Sequence, residues 1–85
     1  MATLVRLPQW GMGMQEGTIL RWHKREGDLV IEDEPLCDVD ASKTEQELES
    51  PASGVLARIL VAEGETVPVL EVLAVIAEPG EEVAP

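Results

Sequence analysis

Apolar and polar positions along the chain change over at short range, in runs of three to six residues that suit strands and sustain no helical period. Glu45-Gln46-Glu47-Leu48-Glu49 alternates strictly, with three carboxylates on one side and Gln46 and Leu48 on the other, the pattern of a strand with one wet face. Thr18-Ile19-Leu20 and Val72-Leu73-Ala74-Val75-Ile76 are β-branched and aliphatic runs bounded by Gly, Pro or acidic residues. Glu26-Gly27-Asp28 and Glu63-Gly64-Glu65 place glycine where a tight hairpin or loop turn can take a positive φ at little steric cost. Pro51-Ala52-Ser53-Gly54 breaks the strand that Glu49 ends. The pattern predicts an all-β chain.

Sliding the sequence against itself by 37 positions exposes an internal repeat. Gly17-Thr-Ile-Leu-Arg21 aligns with Gly54-Val-Leu-Ala-Arg58, Glu26-Gly27 with Glu63-Gly64, Val30 with Val67, Glu34 with Glu71 and Leu36 with Leu73, so that seven of the 24 positions from Gly17 to Asp40 are identical. Two copies are too few for a stacked solenoid, which needs three or more. The repeat therefore predicts one domain of two halves related by a pseudo-twofold axis. Residues 1–78 are expected to form that domain, and residues 79–85, rich in Pro and Glu, to begin a flexible linker.

Composition sharpens this picture. The 85 residues allow one small core and leave no room for a two-domain enzyme. A 45% apolar fraction, mostly branched aliphatic, is enough to fold. Six Lys and Arg against 17 Asp and Glu give a net charge of −11, which argues against nucleic acid or an anionic membrane as partner because both demand a basic footprint. The longest stretch without Asp, Glu, Lys or Arg is Leu7 to Gln15, far short of the roughly 18 residues of a spanning helix. The first 20 residues show no basic start followed by an apolar run, so the expected location is the bacterial cytoplasm or, second, the mitochondrial matrix. A single cysteine, Cys37, excludes an internal disulfide and a cysteine-based zinc site; no metal centre is expected.

Chemistry concentrates at Lys43, one of only two lysines, the other being Lys24. Lys43 stands between the halves in a strand, polar turn, strand parse, where Asp40, Ala41 and Ser42 suit a tight connection that would hold the amine in water. A lone lysine on a turn is ordinary surface chemistry. Its setting is not.

From Leu4 to about Ala77 the chain resembles the lipoyl domains of the acyltransferase components of 2-oxo acid dehydrogenase complexes, within the biotinyl/lipoyl attachment family. The resemblance rests on Pro8-Gln9-Trp10-Gly11-Met12-Gly13-Met14-Gln15-Glu16-Gly17, the Glu26-Gly27-Asp28 turn, Asp40-Ala41-Ser42-Lys43-Thr44 as the modification turn, and Pro51-Ala52-Ser53-Gly54-Val55-Leu56 as the return. The family usually has Asp immediately before the modified lysine, where this chain has Ser42; Asp40 keeps an upstream acid. The resemblance implies a flattened β-barrel or sandwich of two four-stranded antiparallel sheets. It implies lipoic acid in amide linkage to Lys43, with Asp40, Ala41, Ser42 and Thr44 read by the modifying lipoate ligase. The modified lysine would form an arm with a reach of roughly 14 Å. It further implies a non-catalytic swinging-arm carrier, monomeric in isolation, that serves a thiamine-dependent 2-oxo acid dehydrogenase, an acyltransferase catalytic core and a dihydrolipoyl dehydrogenase, with a pyruvate or acetoin type favoured. Trp10, Met12 and Met14 are candidates either for loop anchors or for partner recognition, and Glu45, Glu47 and Glu49 either for a solvated face or for electrostatic steering.

Biotin carrier domains share the architecture but resemble Met-Lys-Met at the modified turn, whereas this chain has Ser42-Lys43-Thr44. The glycine-cleavage carrier ranks third, and an unmodified structural or adaptor β-domain stands as the non-carrier alternative. His23 has no Ser, Cys or carboxylate at a suggestive spacing and reads as a solvated strand-end histidine, and Cys37 as a small strand residue.

Overall fold

The computed structural model describes residues 2–41 and 44–78. The described residues form eight strands and no helix: β1 (Thr3–Arg6), β2 (Glu16–Trp22), β3 (Leu29–Val30), β4 (Pro35–Ala41), β5 (Thr44–Glu49), β6 (Gly54–Ile59), β7 (Thr66–Pro68) and β8 (Val72–Ala77). They pair antiparallel in two four-stranded sheets, ordered β1-β8-β6-β3 and β5-β4-β2-β7. Residues 79–85, expected to begin a linker, lie outside the described residues. Among the described residues no helix is long and apolar enough to cross a membrane.

The repeat is visible in individual hydrogen bonds. Gly27 N–H donates to Leu56 O and Gly64 N–H to Ile19 O, both at 2.7 Å, while Leu56 N–H donates to Asp28 O and Ile19 N–H to Glu65 O at 2.8 and 2.9 Å. Each pair is related by the same shift of 37. Glu26 and Glu63 repeat the relation with their side chains, Glu26 Oε2 accepting from Ile59 N–H at 2.8 Å and Glu63 Oε2 from Trp22 N–H at 3.0 Å. Gly27 and Gly64 take φ of 95° and 89°, as the turn chemistry requires. Two non-glycine residues share the property: Asp33 and Leu70, also 37 apart, have φ of 72° and 71°, a conformation aspartate tolerates and leucine seldom adopts.

The Glu26-Gly27-Asp28 and Glu63-Gly64-Glu65 turns are not hairpins. Each carries the chain from one sheet to the other, β2 to β3 and β6 to β7. Among the described residues, β4 and β5 are the only sequential strands that are neighbours within one sheet.

The core fills the space between the sheets with one side chain in two from most strands, as pleating dictates. Val5, Leu7, Ile19, Leu36, Val39, Leu48, Leu56, Leu73 and Ile76 are buried in it together with Cys37. The consecutive burial of Leu36 and Cys37 follows from a register shift between Pro35 and Cys37, where one strand gains a residue on the other and the alternation slips.

The halves differ at one place. Leu7 and Ser50 play the same part, Leu7 N–H donating to Glu71 O at 3.0 Å and Ser50 N–H to Glu34 O at 2.8 Å. Each is followed by proline, yet Pro8 and Gly17 enclose six more residues than Pro51 and Gly54. The surplus forms the Trp10 loop.

Candidate functional site

The β4–β5 pair is the longest in its sheet and runs without a shift towards its Ala41 end, with Asp38 opposite Glu47, Val39 opposite Gln46, Asp40 opposite Glu45 and Ala41 opposite Thr44. The Thr44 hydroxyl donates to Ala41 O at 3.0 Å, closing the ends of the two strands. Only two residues join them in sequence, Ser42 and Lys43. Both lie outside the described residues, so the site is defined by the flanks that hold them.

Those flanks have two faces. Ala41 is 5% exposed and faces the core, which restricts recognition at that position to its backbone. Asp40, Thr44, Glu45, Glu47 and Glu49 are exposed, and Asp38 is half-buried. Two carboxylate pairs, Asp38–Glu47 and Asp40–Glu45, thus stand directly opposite one another across the strands, an arrangement that costs stability.

The Trp10 loop lies against the same strands. Trp10, Gly11, Gly13, Ala41, Thr44 and Gln46 line a depression of about 300 Å³, with Met14 at its floor. The loop is tied to itself: the Gln9 side-chain amide donates to Met14 O at 2.9 Å and Met14 N–H to Gly11 O at 3.1 Å. Met14 is 4% exposed and belongs to the core, so of its two readings the loop anchor is the one its burial favours; apolar burial claims its side chain. Met12 is fully exposed and Trp10 partly so.

The remaining titratable candidates sit elsewhere. Lys24 Nζ is 3.3 Å from Glu34 Oε1 and its side chain is largely covered. Cys37 is fully buried; burial, with the adjacent Asp38 carboxylate, pushes its thiol up to about 12, which leaves it neutral and unreactive. His23 is exposed just after β2, but it is not without a carboxylate. Its Nε2 lies 2.9 Å from Asp38 Oδ1, a partner 15 residues away that the β2–β4 pairing supplies and local spacing could not reveal.

Residues 3–76 match the family described as biotin-requiring enzyme, the biotinyl/lipoyl attachment family. The lipoyl domain of the 2-oxoglutarate dehydrogenase complex from Azotobacter vinelandii superposes with a TM-score of 0.74 at 32% identity, covering 89% of this chain and 98% of that one. The chain belongs to this family as a lipoyl domain. Such domains carry lipoic acid on a lysine. The chain is 42% identical over 84 residues, 99% of its length, to the dihydrolipoyllysine-residue acetyltransferase component of the pyruvate dehydrogenase complex of Corynebacterium glutamicum. It is 40% identical over 72 residues, 85% of its length, to that component of the acetoin cleaving system of Pseudomonas putida. The lipoyl domain spans only 12% and 20% of those two relatives. A long-chain acyl-CoA carboxylase aligns with a TM-score of 0.75 over 91% of this chain and 7% of its own, at 23% identity, a likeness of fold alone.

Proposed function

We propose that Lys43 is the attachment lysine and that the domain is a non-catalytic carrier for a pyruvate- or acetoin-type complex in the bacterial cytoplasm. One observation carries this reading. Among the described residues β4 and β5 are the only sequential strands paired in one sheet, so the fold brings the two flanks of Ser42 and Lys43 together in a fixed register. Lys24, the only other lysine, is held by Glu34.

The residues present fit lipoic acid: the attachment chemistry needs one primary amine between exposed flanks, and Asp40 and Thr44 are such flanks. When bound, its dithiolane supplies a disulfide that takes up an acyl group together with two electrons. The protein's own residues supply position. Thr44 and Ala41 fix the strand ends, and the exposed carboxylates of β4 and β5 repel acidic surfaces while favouring basic ones, which selects among partner enzymes. The Trp10 loop adds an apolar contact beside the hairpin, of the aromatic kind that anchors interfaces. The partners so served are a thiamine-dependent decarboxylase, an acyltransferase core and a dihydrolipoyl dehydrogenase, and a lipoate ligase reads Asp40, Ala41, Ser42 and Thr44.

The relatives of pyruvate and acetoin type support the choice of substrate class. To test it, the lipoylated chain is offered to thiamine-dependent decarboxylases of the pyruvate, acetoin and 2-oxoglutarate types, and acylation is followed by mass. Faster acylation with a pyruvate or acetoin enzyme is expected. A preference for the 2-oxoglutarate enzyme would overturn the assignment of class.

A further inference from the structure

On the outer face of the β5-β4-β2-β7 sheet, away from the hairpin connection, three metal-ligating side chains converge: His23, Asp38 and Glu47. One ligand atom from each lies within 4.8 Å of the other two, with His23 Nε2 and Asp38 Oδ1 at 2.9 Å. We infer that His23, Asp38 and Glu47 form a surface site for a borderline divalent transition metal of the zinc class, separate from the lipoyl attachment residues.

Three features support the site. The ligands come from three adjacent segments whose backbones are fixed: Asp38 and Glu47 are registered opposite one another on β4 and β5, and His23 N–H donates to Leu36 O at 2.7 Å, which locks the residue after β2 alongside β4. The donor set is one imidazole and two carboxylates. Zinc bonds of about 2.0–2.2 Å at tetrahedral angles put ligand atoms roughly 3.3–3.5 Å apart, a spacing that side-chain rotation reaches from the observed one without strand movement. The charges are also right. Two carboxylates facing each other across a strand pair are destabilising, and a dication between them replaces that repulsion with attraction, in a chain whose net charge of −11 already concentrates cations at its surface. Lys24 is already taken up by Glu34, which leaves Arg21, registered opposite Asp38, as the nearby competing cation. The imidazole favours zinc, nickel or copper over magnesium or calcium, and the fourth tetrahedral position would be left to water.

The decisive test is a titration of zinc chloride into the untagged, isotopically labelled chain carrying Lys43→Arg, so that no lipoyl thiols compete for metal. Expected is a saturable 1:1 response in which the His23 ring and the Asp38 and Glu47 carboxylates shift together, unaffected by excess calcium. A rise in melting midpoint on adding zinc should accompany it. His23→Gln and Glu47→Gln should each weaken binding at least tenfold while remaining folded, since both side chains are exposed. Shifts spread over the carboxylates of the whole surface without saturation, or equal affinity in His23→Gln, would reduce the cluster to a hydrogen-bonded His23–Asp38 pair and overturn the site. Neither result bears on lipoylation, which is read separately by mass.

Discussion

Gly17 and Gly54 occupy equivalent places in the two halves, yet their surroundings predict unequal tolerance of a methyl group. A Cβ on Gly17 would meet Val39 Cγ1 at 2.9 Å, Leu7 Cδ2 at 3.3 Å and Met14 Cε at 3.4 Å, all side-chain ends, of which the methionine is the most yielding. A Cβ on Gly54 would stand inside the van der Waals envelope of the Ala77 carbonyl oxygen and 3.0 Å from Ile76 Cγ2. That oxygen belongs to β8, which is paired on both edges, with β1 and with β6, so relief requires moving a central strand. Overpacking costs about 1–3 kcal/mol, and we place Gly17→Ala near the lower end and Gly54→Ala at or above the upper end. An 85-residue domain holds roughly 4–13 kcal/mol in all, so a loss of about 3 kcal/mol is a large share. At about 4–8 °C per kcal/mol for a domain of this size, Gly54→Ala should melt more than about 10 °C below the native protein. Urea and thermal unfolding of both variants give the comparison. A Gly54→Ala protein as stable as Gly17→Ala would refute the argument that backbone, not side chain, sets the tolerance.

Gly27→Ala and Gly64→Ala should each cost about 1 kcal/mol and equal one another in urea melts, because a Cβ meets nothing within 4 Å at either and only the positive φ is strained. With the Cys37 thiol raised from 9.0 to about 12 by burial and by Asp38, its stabilising contribution is complete below pH 9 and is lost as pH climbs towards 12, where the unfolded chain has already released the proton. The free energy of unfolding measured across that interval should fall less steeply in Cys37→Ala. Changing Glu45, Glu47 and Glu49 together to Gln removes both cross-strand carboxylate oppositions and should raise stability by roughly 0.2–1 kcal/mol for each pair at low salt. The same variant, once lipoylated, should be acylated more slowly than the native chain at low ionic strength, and the gap should close as salt is added.

The alternation at Glu45–Glu49, the aliphatic runs and the repeat at a shift of 37 make the all-β class and the two halves legible, because pleating and burial act on neighbouring letters. The same local logic leaves hairpin and loop turn both open at Gly27 and Gly64, since a positive φ serves a hairpin and a sheet-to-sheet crossing equally well. Leu70 at φ 71° left no trace: nothing in a leucine announces a left-handed backbone, and the requirement comes from its N–H reaching Leu7 O at 2.7 Å. For Met14 the sequence leaves loop anchor and partner contact both open, because a six-residue surplus with no counterpart in the second half has no repeat to calibrate it; its burial selects the anchor. His23 found its carboxylates only through pairing of β2, β4 and β5, a non-local relation invisible to spacing along the chain.

The position of Lys43 between β4 and β5 predicts that it, and not Lys24, takes lipoic acid. Intact-mass analysis of the chain after incubation with a lipoate ligase, lipoic acid and ATP, followed by peptide mapping, tests it directly. The native chain should gain one lipoyl increment, mapped to Lys43, and Lys43→Arg should gain none. An increment mapped to Lys24, or one that persists in Lys43→Arg, would contradict the account.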